Sequence, residues 1–330
     1  MRRIIAFVGP TAVGKTAVSV ELAQALDAEI VSCDSMQVYR EMPTLSQAPT
    51  HAERAQVQHH LIDCIEPTRS FSVGEYRKIA IPIINRILER GKRVLIVGGT
   101  GLYLKALTEG LCDAPPADVR IREHLWSECQ DLGSTTLYNR LQGIDAAAAQ
   151  RIHPNDARRI IRALEVYALT GKPISSWWRS AAAELMPGHV TIIGLTRDRE
   201  ELYHRINDRV LRMVYEQGVI NEARRLLRLP LSKTARQMHG LPDIEQYLAG
   251  TTSLKDMIAV WQQRVRSYAK RQLIWFRQSP SLQWVTVAAD ERPWETAQRL
   301  LDLIRRDRAP QSTTTPVTVE DGPGMSTVGV

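Results

Sequence analysis

The sequence predicts an α/β fold in which a parallel β-sheet is flanked by helices and interrupted by a helical insertion. Short apolar runs alternate with segments of helical periodicity through the first hundred residues and again after residue 188. This alternation is typical of a parallel sheet. Between these two parts, residues 117–182 have charged helical patterns and no apolar run of the strand type. A chain of 330 residues is long enough for a large core with an inserted module.

The first strand–helix junction carries the most specific motif. Residues 9–16 have the sequence GPTAVGKT, which matches G-x-x-x-x-G-K-[ST], between an apolar strand at 4–8 and a helix at 17–26. Backbone N–H groups of such a loop form a phosphate cradle at the N-terminus of a helix. The motif predicts a P-loop NTPase-like sheet; a glycine-rich turn without a ligand is the alternative. The residues expected to bind phosphate are Gly9, Pro10, Thr11, Ala12, Val13, Gly14, Lys15 and Thr16.

The other core elements follow the same alternation. We expect further strands at 29–35, 93–103, 189–195 and 283–287, and helices at 76–91, 198–229 and 254–277. The helix at 76–91 contains Pro82, which must lie early in the helix or introduce a kink. Because ligands bind at the carboxyl ends of parallel strands, the phosphate loop, Asp34-Ser35 and Gly98–Gly101 should converge on one crevice.

Changes in composition divide the chain into four parts. Pro115-Pro116 ends the first part of the core at 1–116, and Pro187-Gly188 precedes the return to the sheet. The other parts are a helical insertion at 117–182, the second part of the core at 183–308 with a basic C-terminal helix, and a tail at 309–330. The tail is rich in Thr, Pro and Gly, which predicts disorder.

Composition also indicates the type of partner and the cellular compartment. The net charge of +7 favours an anionic partner, but only weakly. The four cysteines have no C-x-x-C spacing, which predicts free thiols in a reducing compartment. The apolar run after Met1-Arg2-Arg3 is too short for a signal-peptide core or a membrane span. We therefore expect a cytoplasmic protein that does not contact a membrane.

Asp34 is the first candidate for chemistry in the crevice. A P-loop triphosphatase usually has an acid after an apolar strand, but here the strand VLIV ends in Gly98-Gly99-Thr100-Gly101. The acid lies instead at the end of the second strand. A carboxylate near a bound phosphate chain, outside a hydrolytic site, suggests a base that acts on an acceptor. A cap on the following turn is the alternative role.

A pair of arginines with four-residue spacing is the second candidate. Arg205 and Arg209 lie on one face of the helix that begins at Asp198. Two guanidiniums at this spacing could clamp phosphate oxygens. Solvated surface arginines are the commoner explanation of such a pair.

Two further segments are basic. Arg158 and Arg162 share one face of a helix that begins at Asn155 or Asp156. The segment 264–277 mixes five basic residues with three aromatic ones. Arginine mixed with aromatic side chains suits RNA, because phosphates are neutralised and unstacked bases meet planar groups. A plain amphipathic helix explains the second segment equally well.

Six motifs resemble those of the tRNA dimethylallyltransferases in order and spacing. They are GPTAVGKT, DSMQVYREM (34–42), HHLID (59–63), GGTGLY (98–103), HPNDARRIIRALEVY (153–167) and YAKRQLIWFR (268–277). The resemblance implies transfer of a dimethylallyl group from dimethylallyl diphosphate to a tRNA. The acceptor would be the exocyclic N6 amine of the adenosine 3′ of the anticodon. Diphosphate would leave, and no ATP would be consumed.

The resemblance also implies roles for individual residues. Asp34, Thr100 and Arg209 would be catalytic, with Asp34 accepting the amine proton. The phosphate loop would stabilise the diphosphate, with Mg²⁺ held by Thr16. We expect a monomer that binds the anticodon stem-loop. The implied tRNA contacts are Asp34, Ser35, Met36, Gln37 and Thr100 at the adenine, Arg120, Arg122, Arg158, Arg159, Ile160, Ile161 and Arg162 on the insertion, and Lys270, Arg271 and Arg277 on the C-terminal helix.

Two stretches depart from the family pattern. Residues 43–50 have the sequence PTLSQAPT where the family continues close to D-I-G-T-A-K-P, and residues 240–243 have GLPD where it has G-Y-K-E. The absence of these lysines would affect RNA affinity or the choice of tRNA. The departures do not change the phosphate loop. Three alternatives remain: prenyl transfer to free adenine nucleotides, a small-molecule kinase that uses ATP, and an RNA-binding module without catalysis.

Overall fold

The structure is a computed structural model that describes residues 4–112, 114–178 and 190–306. The predicted tail at 309–330, the N-terminal Met1-Arg2-Arg3 and the predicted boundary between residues 182 and 183 lie outside these ranges.

The described residues form a six-stranded sheet in which every pair of neighbouring strands is parallel. The spatial order is β3-β2-β4-β1-β5-β6. All residues of β1 and β2 are buried, as expected for a parallel sheet that is covered on both faces. The predicted α/β fold is therefore confirmed. The strands are β1 (Ile4–Val8), β2 (Ala28–Ser32), β3 (His59–His60), β4 (Arg93–Gly98), β5 (Val190–Thr196) and β6 (Leu282–Thr286).

Helices flank the sheet in both parts of the core. The first part contains α1 (Lys15–Leu26), α2 (Pro43–Ser46), α3 (His51–Gln56), α4 (Val73–Glu89) and α5 (Gly101–Thr108). Helix α1 follows the phosphate loop and packs against β2 and β4. The loop is thereby fixed between the end of β1 and the start of a helix.

The insertion and the second part of the core supply the remaining helices of the described chain. In the insertion they are α6 (Val119–Leu132), α7 (Ser134–Ile144), α8 (Ala146–Ala149), α9 (Ala157–Thr170) and α10 (Ile174–Trp177). The second part of the core has α11 (Arg199–Tyr215), α12 (Val219–Leu226), α13 (Leu241–Leu248), α14 (Leu254–Phe276) and α15 (Pro293–Arg306).

The insertion has its own hydrophobic core. Leu125, Leu137, Leu141, Ile160 and Leu164 are buried together, in a cluster separate from the one that surrounds the sheet. Helix α9 contributes most to this cluster because its apolar residues recur at helical spacing. A cluster of this kind allows the five helices to pack against one another as a unit.

Several boundaries differ from the sequence-based predictions. The single helix predicted at 198–229 is wrong, because α11 ends at Tyr215 and Gly218, with φ of 68°, begins α12. A glycine adopts this left-handed conformation without a Cβ clash. Strand β3 and helix α15 were not predicted. Pro82 lies well inside α4, and Asp156 caps α9 by accepting a hydrogen bond from Arg159 N–H.

Candidate active site

Three strand ends meet at one large cavity. The cavity has a volume of about 1130 Å³ and is lined by the phosphate loop, the ends of β2 and β4, and residues of α11 and α14. The turn at residues 98–101 joins the end of β2 directly, because Thr100 Oγ1 accepts a hydrogen bond from Ser35 N–H at 3.0 Å. The predicted convergence of the three loops is thus confirmed. The residues that line the cavity include Thr11, Lys15, Thr16, Asp34, Arg205, Arg209, Tyr268 and Gln272.

The phosphate loop (residues 9–16) is held in a curled conformation by its own lysine. Lys15 Nζ donates to the carbonyls of Gly9 and Pro10 at 3.0 and 2.8 Å. Gly14 has φ of 107° and precedes α1, so the first N–H groups of that helix have no intrahelical partner. The loop therefore presents backbone donors and an ammonium group to the same space, which is what a phosphate chain requires.

Three arginines from the second part of the core reach successive residues of the loop. Arg197 Nε donates to the Val13 carbonyl at 2.9 Å, and Arg205 Nε donates to the Ala12 carbonyl at 3.0 Å. Arg209 Nη2 donates to Thr11 Oγ1 at 2.6 Å. Ala12 has φ of 66°, a conformation that an L-residue adopts only when the surroundings impose it. Together these side chains hold the loop in place from outside.

The cavity wall carries positive charge that is poorly solvated. Burial lowers the pKa of Lys15 to about 8, with Arg209 adding to the shift and Asp34 opposing it. Burial also lowers the pKa of Arg209 to about 10, and the neighbouring Arg212 and Arg205 contribute. Arg209 Nε is buried without a hydrogen-bond partner among the described residues. A site of this kind is stabilised by an anion that supplies the missing charge and acceptors.

Asp34 caps the turn after β2 and also lines the cavity. Its Oδ1 accepts hydrogen bonds from Met36 N–H at 2.9 Å and Gln37 N–H at 3.4 Å, so it caps the turn after β2. The same residue lines the cavity together with the phosphate loop, and its charge acts on Lys15. Capping one oxygen fixes the orientation of the group and leaves the second oxygen for a ligand.

Aromatic side chains close the cavity beside Thr100. Burial raises the pKa of Tyr268 well above its usual range, Asp34 adds to the shift, and a hydrogen bond with Thr100 opposes it. Its ring lies 4.5 Å from the His239 ring, measured between centroids. Burial lowers the pKa of His239 to about 4, helped by Arg271. The Tyr268 phenol and the His239 imidazole are therefore both uncharged near neutral pH.

The predicted tRNA contacts on the insertion fall into two groups. Arg122 and Arg162 form ion pairs with Glu165, at 2.6 and 2.8 Å, and Glu165 is completely buried. Ile160 and Ile161 are also buried, so their side chains present no surface to a ligand. The exposed members of the set are Arg120, Arg158 and Arg159, and Arg159 is paired with Asp156 at 3.4 Å.

On α14 the predicted contacts Lys270, Arg271 and Arg277 are all exposed. Arg264, further towards the N-terminus, pairs with the buried Asp243 at 2.7 Å. The three predicted contacts thus lie in the C-terminal part of this helix and at its end.

The site residues fit a magnesium ion that is bound mainly by substrate. Thr16 follows Lys15 at the start of α1, and its side chain lines the cavity near Asp34. The part of the chain that the structure describes contains no cluster of three or more metal-ligating side chains. Mg²⁺ commonly uses few protein ligands together with substrate phosphates and water. Thr16 would hold such an ion, whose chemistry is neutralisation of diphosphate charge.

The two departures from the family pattern have local structural explanations. Residues 43–50 contain α2, whose first N–H groups donate to the buried Glu222 carboxylate, and Ser46 to Thr50 line the cavity. Gly240 begins α13, where a Cβ would collide with the Trp261 ring. The first departure thus lies at the cavity wall, and the second lies at the start of α13.

Sequence reasoning missed two residues that organise the site. Arg197 follows the end of β5, and polar residues at the carboxyl end of a parallel strand are a signal that could have identified it. Gln272, which contacts Thr11 and Gly99, gives no such signal because it is one amide within a basic helix.

The family model described as "IPP transferase" matches residues 37–279. The chain belongs to the IPP transferase family. It is 45% identical over 287 residues to a tRNA dimethylallyltransferase of Syntrophobacter fumaroxidans, covering 86% of this chain and 84% of that protein. Identity to the tRNA dimethylallyltransferase of Geobacter sulfurreducens is 41% over 290 residues, with coverage of 87% and 93%. The family predicted from the motifs is confirmed.

Solved structures of this family are also similar. The tRNA isopentenylpyrophosphate transferase of Bacillus halodurans is 39% identical with a TM-score of 0.68, covering 93% of this chain and 96% of that one. A eukaryotic dimethylallyltransferase, crystallised while acting on tRNA, is 28% identical with a TM-score of 0.78, covering 93% and 80%. IPP transferase structures thus share the parallel sheet of this member.

Two simpler predictions can be compared with the structure. None of the described helices is long and apolar enough to cross a membrane. All four cysteines are free, as their spacing predicted.

Proposed function

We propose that the chain transfers the dimethylallyl group of dimethylallyl diphosphate to the N6 amine of the adenosine 3′ of the anticodon in tRNA. The observation that carries this proposal is a single cavity with two kinds of lining group. The phosphate loop, Lys15 and Arg209 supply donors and positive charge, and Asp34, which follows β2, supplies a carboxylate. Thr100 joins this region through its hydrogen bond with Ser35 N–H. The names and titles of the relatives, which are tRNA-modifying prenyltransferases, support the same reaction.

The first event is cleavage of the bond between the donor carbon and the diphosphate oxygen. Negative charge develops on the diphosphate as this bond breaks. The backbone N–H groups of the loop, Lys15 and Arg209 would bind that charge, and Arg209 Nε gains an acceptor that it otherwise lacks. These groups are already oriented by Arg205 and Arg197, so little rearrangement is needed during the reaction.

The second event is attack of the adenine amine on the same carbon. The lone pair of this amine is delocalised into the ring, so the amine is a weak nucleophile until its proton is removed. Asp34 would accept the proton as the nitrogen–carbon bond forms, and such assistance contributes roughly 10²–10⁴-fold. The products are N6-dimethylallyladenosine, diphosphate and the proton on Asp34, which returns to water.

The acceptor base must leave the anticodon stack to enter the cavity. Gln37 and Tyr268, which line the cavity, would contact it, together with the adjoining Ser35, Met36 and Thr100. The exposed charges of α14 and the insertion would bind the phosphates of the anticodon arm. We infer that the protein acts as a monomer in the cytoplasm, where undermodified tRNA is present.

The test is an assay with dimethylallyl diphosphate and undermodified tRNA in the absence of ATP. The expected result is a mass increase of one dimethylallyl group on the anticodon-loop adenosine. Phosphoryl transfer from ATP to any acceptor would identify a kinase instead. Prenylation of free adenine nucleotides in preference to tRNA would contradict the acceptor assignment.

The role of Asp34 can be separated from its role as a cap. Asp34→Asn retains an oxygen that accepts from Met36 N–H, but the amide cannot accept the amine proton. We expect kcat to fall by roughly 10²–10⁴-fold with tRNA affinity within about twofold of wild type. Asp302→Asn on α15, away from the cavity, is the control. Turnover close to wild type in Asp34→Asn would remove Asp34 from the role of base.

A further inference from the structure

One buried amide on α14 bridges two neighbouring loops, the phosphate loop after β1 and the turn after β4. Gln272 Oε1 accepts a hydrogen bond from Thr11 N–H at 2.8 Å, and Gln272 Nε2 donates one to the Gly99 carbonyl at 2.9 Å. The side chain is only 5% exposed. Both polar ends of the amide are therefore used, one on the phosphate loop and the other on the turn at residues 98–101.

The backbone of that turn is shaped to receive α14. A Cβ at Gly99 would collide with Gln272 Nε2, and a Cβ at Gly101 would collide with the Trp275 ring. Glycine at these two positions is thus required by the close approach of the helix. The helix and the turn are therefore in close contact at Gly99 and Gly101, and the Gln272 hydrogen bond is part of that contact.

The phosphate-loop end of the bridge is equally fixed. The Thr11 hydroxyl accepts from Arg209 while the Thr11 N–H donates to Gln272. Residue 11 is therefore held from both sides, by a group that would contact the diphosphate and by one that contacts the turn. Its N–H is occupied by Gln272, which leaves the N–H groups from residue 12 onward for the phosphates.

We propose that Gln272 is a positioning residue that sets the separation between the donor and the acceptor. The inference rests on the proposed function, in which the phosphate loop holds the diphosphate and the turn with Thr100 contacts the adenine. Attack requires the two reacting atoms at near-contact distance, and a misplacement of about 1 Å can cost roughly 10²-fold in rate. The amide contacts both loops, so it controls that distance without touching the reacting atoms.

The first test replaces the amide by an apolar side chain of similar length. Gln272→Met removes both hydrogen bonds, and we expect kcat to fall by roughly 30- to 100-fold. The KM for dimethylallyl diphosphate and the affinity for tRNA should each change by less than about threefold, because each site remains intact on its own. Gln263→Met, on the exposed face of the same helix, should behave as wild type.

The second test uses pH to restore the bridge. Gln272→Glu keeps an acceptor for Thr11 N–H, but its carboxylate cannot donate to the Gly99 carbonyl; the protonated acid can donate and accept like the amide. Burial and the nearby Asp34 favour the protonated form, whereas Lys15 and Arg209 favour the carboxylate, and we expect burial to dominate at this 5% exposed position. The ratio of the kcat of Gln272→Glu to that of wild type, measured at each pH, should therefore rise severalfold from pH 8 to pH 6. A residue that only stabilises the helix would not produce this pH profile.

The outcomes separate this inference from the proposed function. If wild-type protein fails to prenylate tRNA, the proposed function is wrong, whatever the variants do. If wild type is active, the inference is overturned by a Gln272→Met variant with unchanged kcat, by a loss confined to KM, or by a ratio for Gln272→Glu that does not change with pH. If Gln272→Met does not fold, the pH profile of Gln272→Glu decides alone.

Discussion

Two pairs of arginines have the same four-residue spacing and opposite surroundings. Arg205 and Arg209 both extend from α11 to the phosphate loop, and neither forms an ion pair with a carboxylate within the described residues. Of Arg158 and Arg162 on α9, the first is exposed, and the second is bound to the buried Glu165 and to the Pro115 carbonyl. Four-residue spacing places two side chains on one face of a helix. The element packed against that face determines whether the side chains can bind an anion.

The difference is electrostatic. At the phosphate loop the cations are partly buried with incomplete compensation, and the lowered pKa values of Lys15 and Arg209 are the consequence. In the insertion the Glu165 carboxylate offsets part of the charge of both Arg122 and Arg162, and its pair with Arg122 joins α6 to α9. Uncompensated charge is available to an anionic ligand, whereas compensated charge must first lose its partner.

The largest effect expected from this comparison is on catalysis. Arg209→Ala should lower kcat/KM for prenyl transfer by roughly 10²–10³-fold, because a preorganised donor to the departing diphosphate is lost. Arg162→Ala should leave kcat and the KM for the donor within about twofold of wild type, although its melting temperature should fall because Glu165 loses one partner. Steady-state kinetics with both variants measure this. Similar losses in kcat would show that the two pairs have the same role.

The arrangement at the phosphate loop could be predicted from the sequence in outline. The motif at 9–16 and the alternation of strands and helices predicted the loop, the parallel sheet and the convergence of Asp34 with Thr100, because these depend on local pattern and on a general property of such sheets. The spacing of Arg205 and Arg209 correctly indicated a shared face. It could not indicate that the face meets the loop, since that depends on where β5 and α11 pack.

The residues that sequence reasoning could not place are those whose role depends on a distant partner. Gln272 contacts Thr11 across 261 positions of sequence. The spacing of Arg162 predicted a contact with RNA, but its guanidinium is paired with the buried carboxylate of Glu165, three positions later. Ile160 and Ile161 lie within the same motif as the exposed Arg158, yet their side chains fill the core of the insertion. A resemblance between motifs assigns one role to a whole segment. Whether a given side chain in that segment can contact a ligand depends on its own burial.

The second prediction concerns pH at the uncompensated site. Lys15 has a pKa of about 8 in the free protein, so its ammonium is charged below that pH and neutral above it. A bound diphosphate favours the charged form and raises this pKa. The affinity for a non-reactive alkyl diphosphate should therefore be constant below pH 8 and fall by up to tenfold per pH unit above it. Isothermal titration calorimetry between pH 7 and pH 9.5 measures the dependence.

The matching control is Lys15→Met, whose weaker binding should lose this dependence above pH 8. The insertion offers the contrast, because its arginines stay charged throughout the range. The affinity for an isolated anticodon stem-loop should therefore change much less between pH 7 and pH 9.5. An equal decline for both ligands would point to a general loss of positive charge rather than to Lys15.

The smallest expected effect separates Arg158 from Arg162 in tRNA binding. Arg158→Ala should reduce the slope of log K against log salt concentration by about 0.7–0.9, the contribution of one neutralised phosphate. Arg162→Ala should leave the slope unchanged, because an RNA phosphate would have to displace the buried Glu165 carboxylate from its 2.8 Å contact with this guanidinium. Fluorescence anisotropy with labelled tRNA at 50–200 mM salt resolves a change of this size.

The double variant makes the distinction stricter. If Arg158 alone contacts phosphate, Arg158→Ala combined with Arg162→Ala should have the slope of Arg158→Ala, since counterion release depends on contacts formed with RNA. A slope lower by a second increment would mean that Arg162 leaves Glu165 when tRNA binds. Glu165 would then retain only Arg122 in the complex, and its compensating role would belong to the free protein alone.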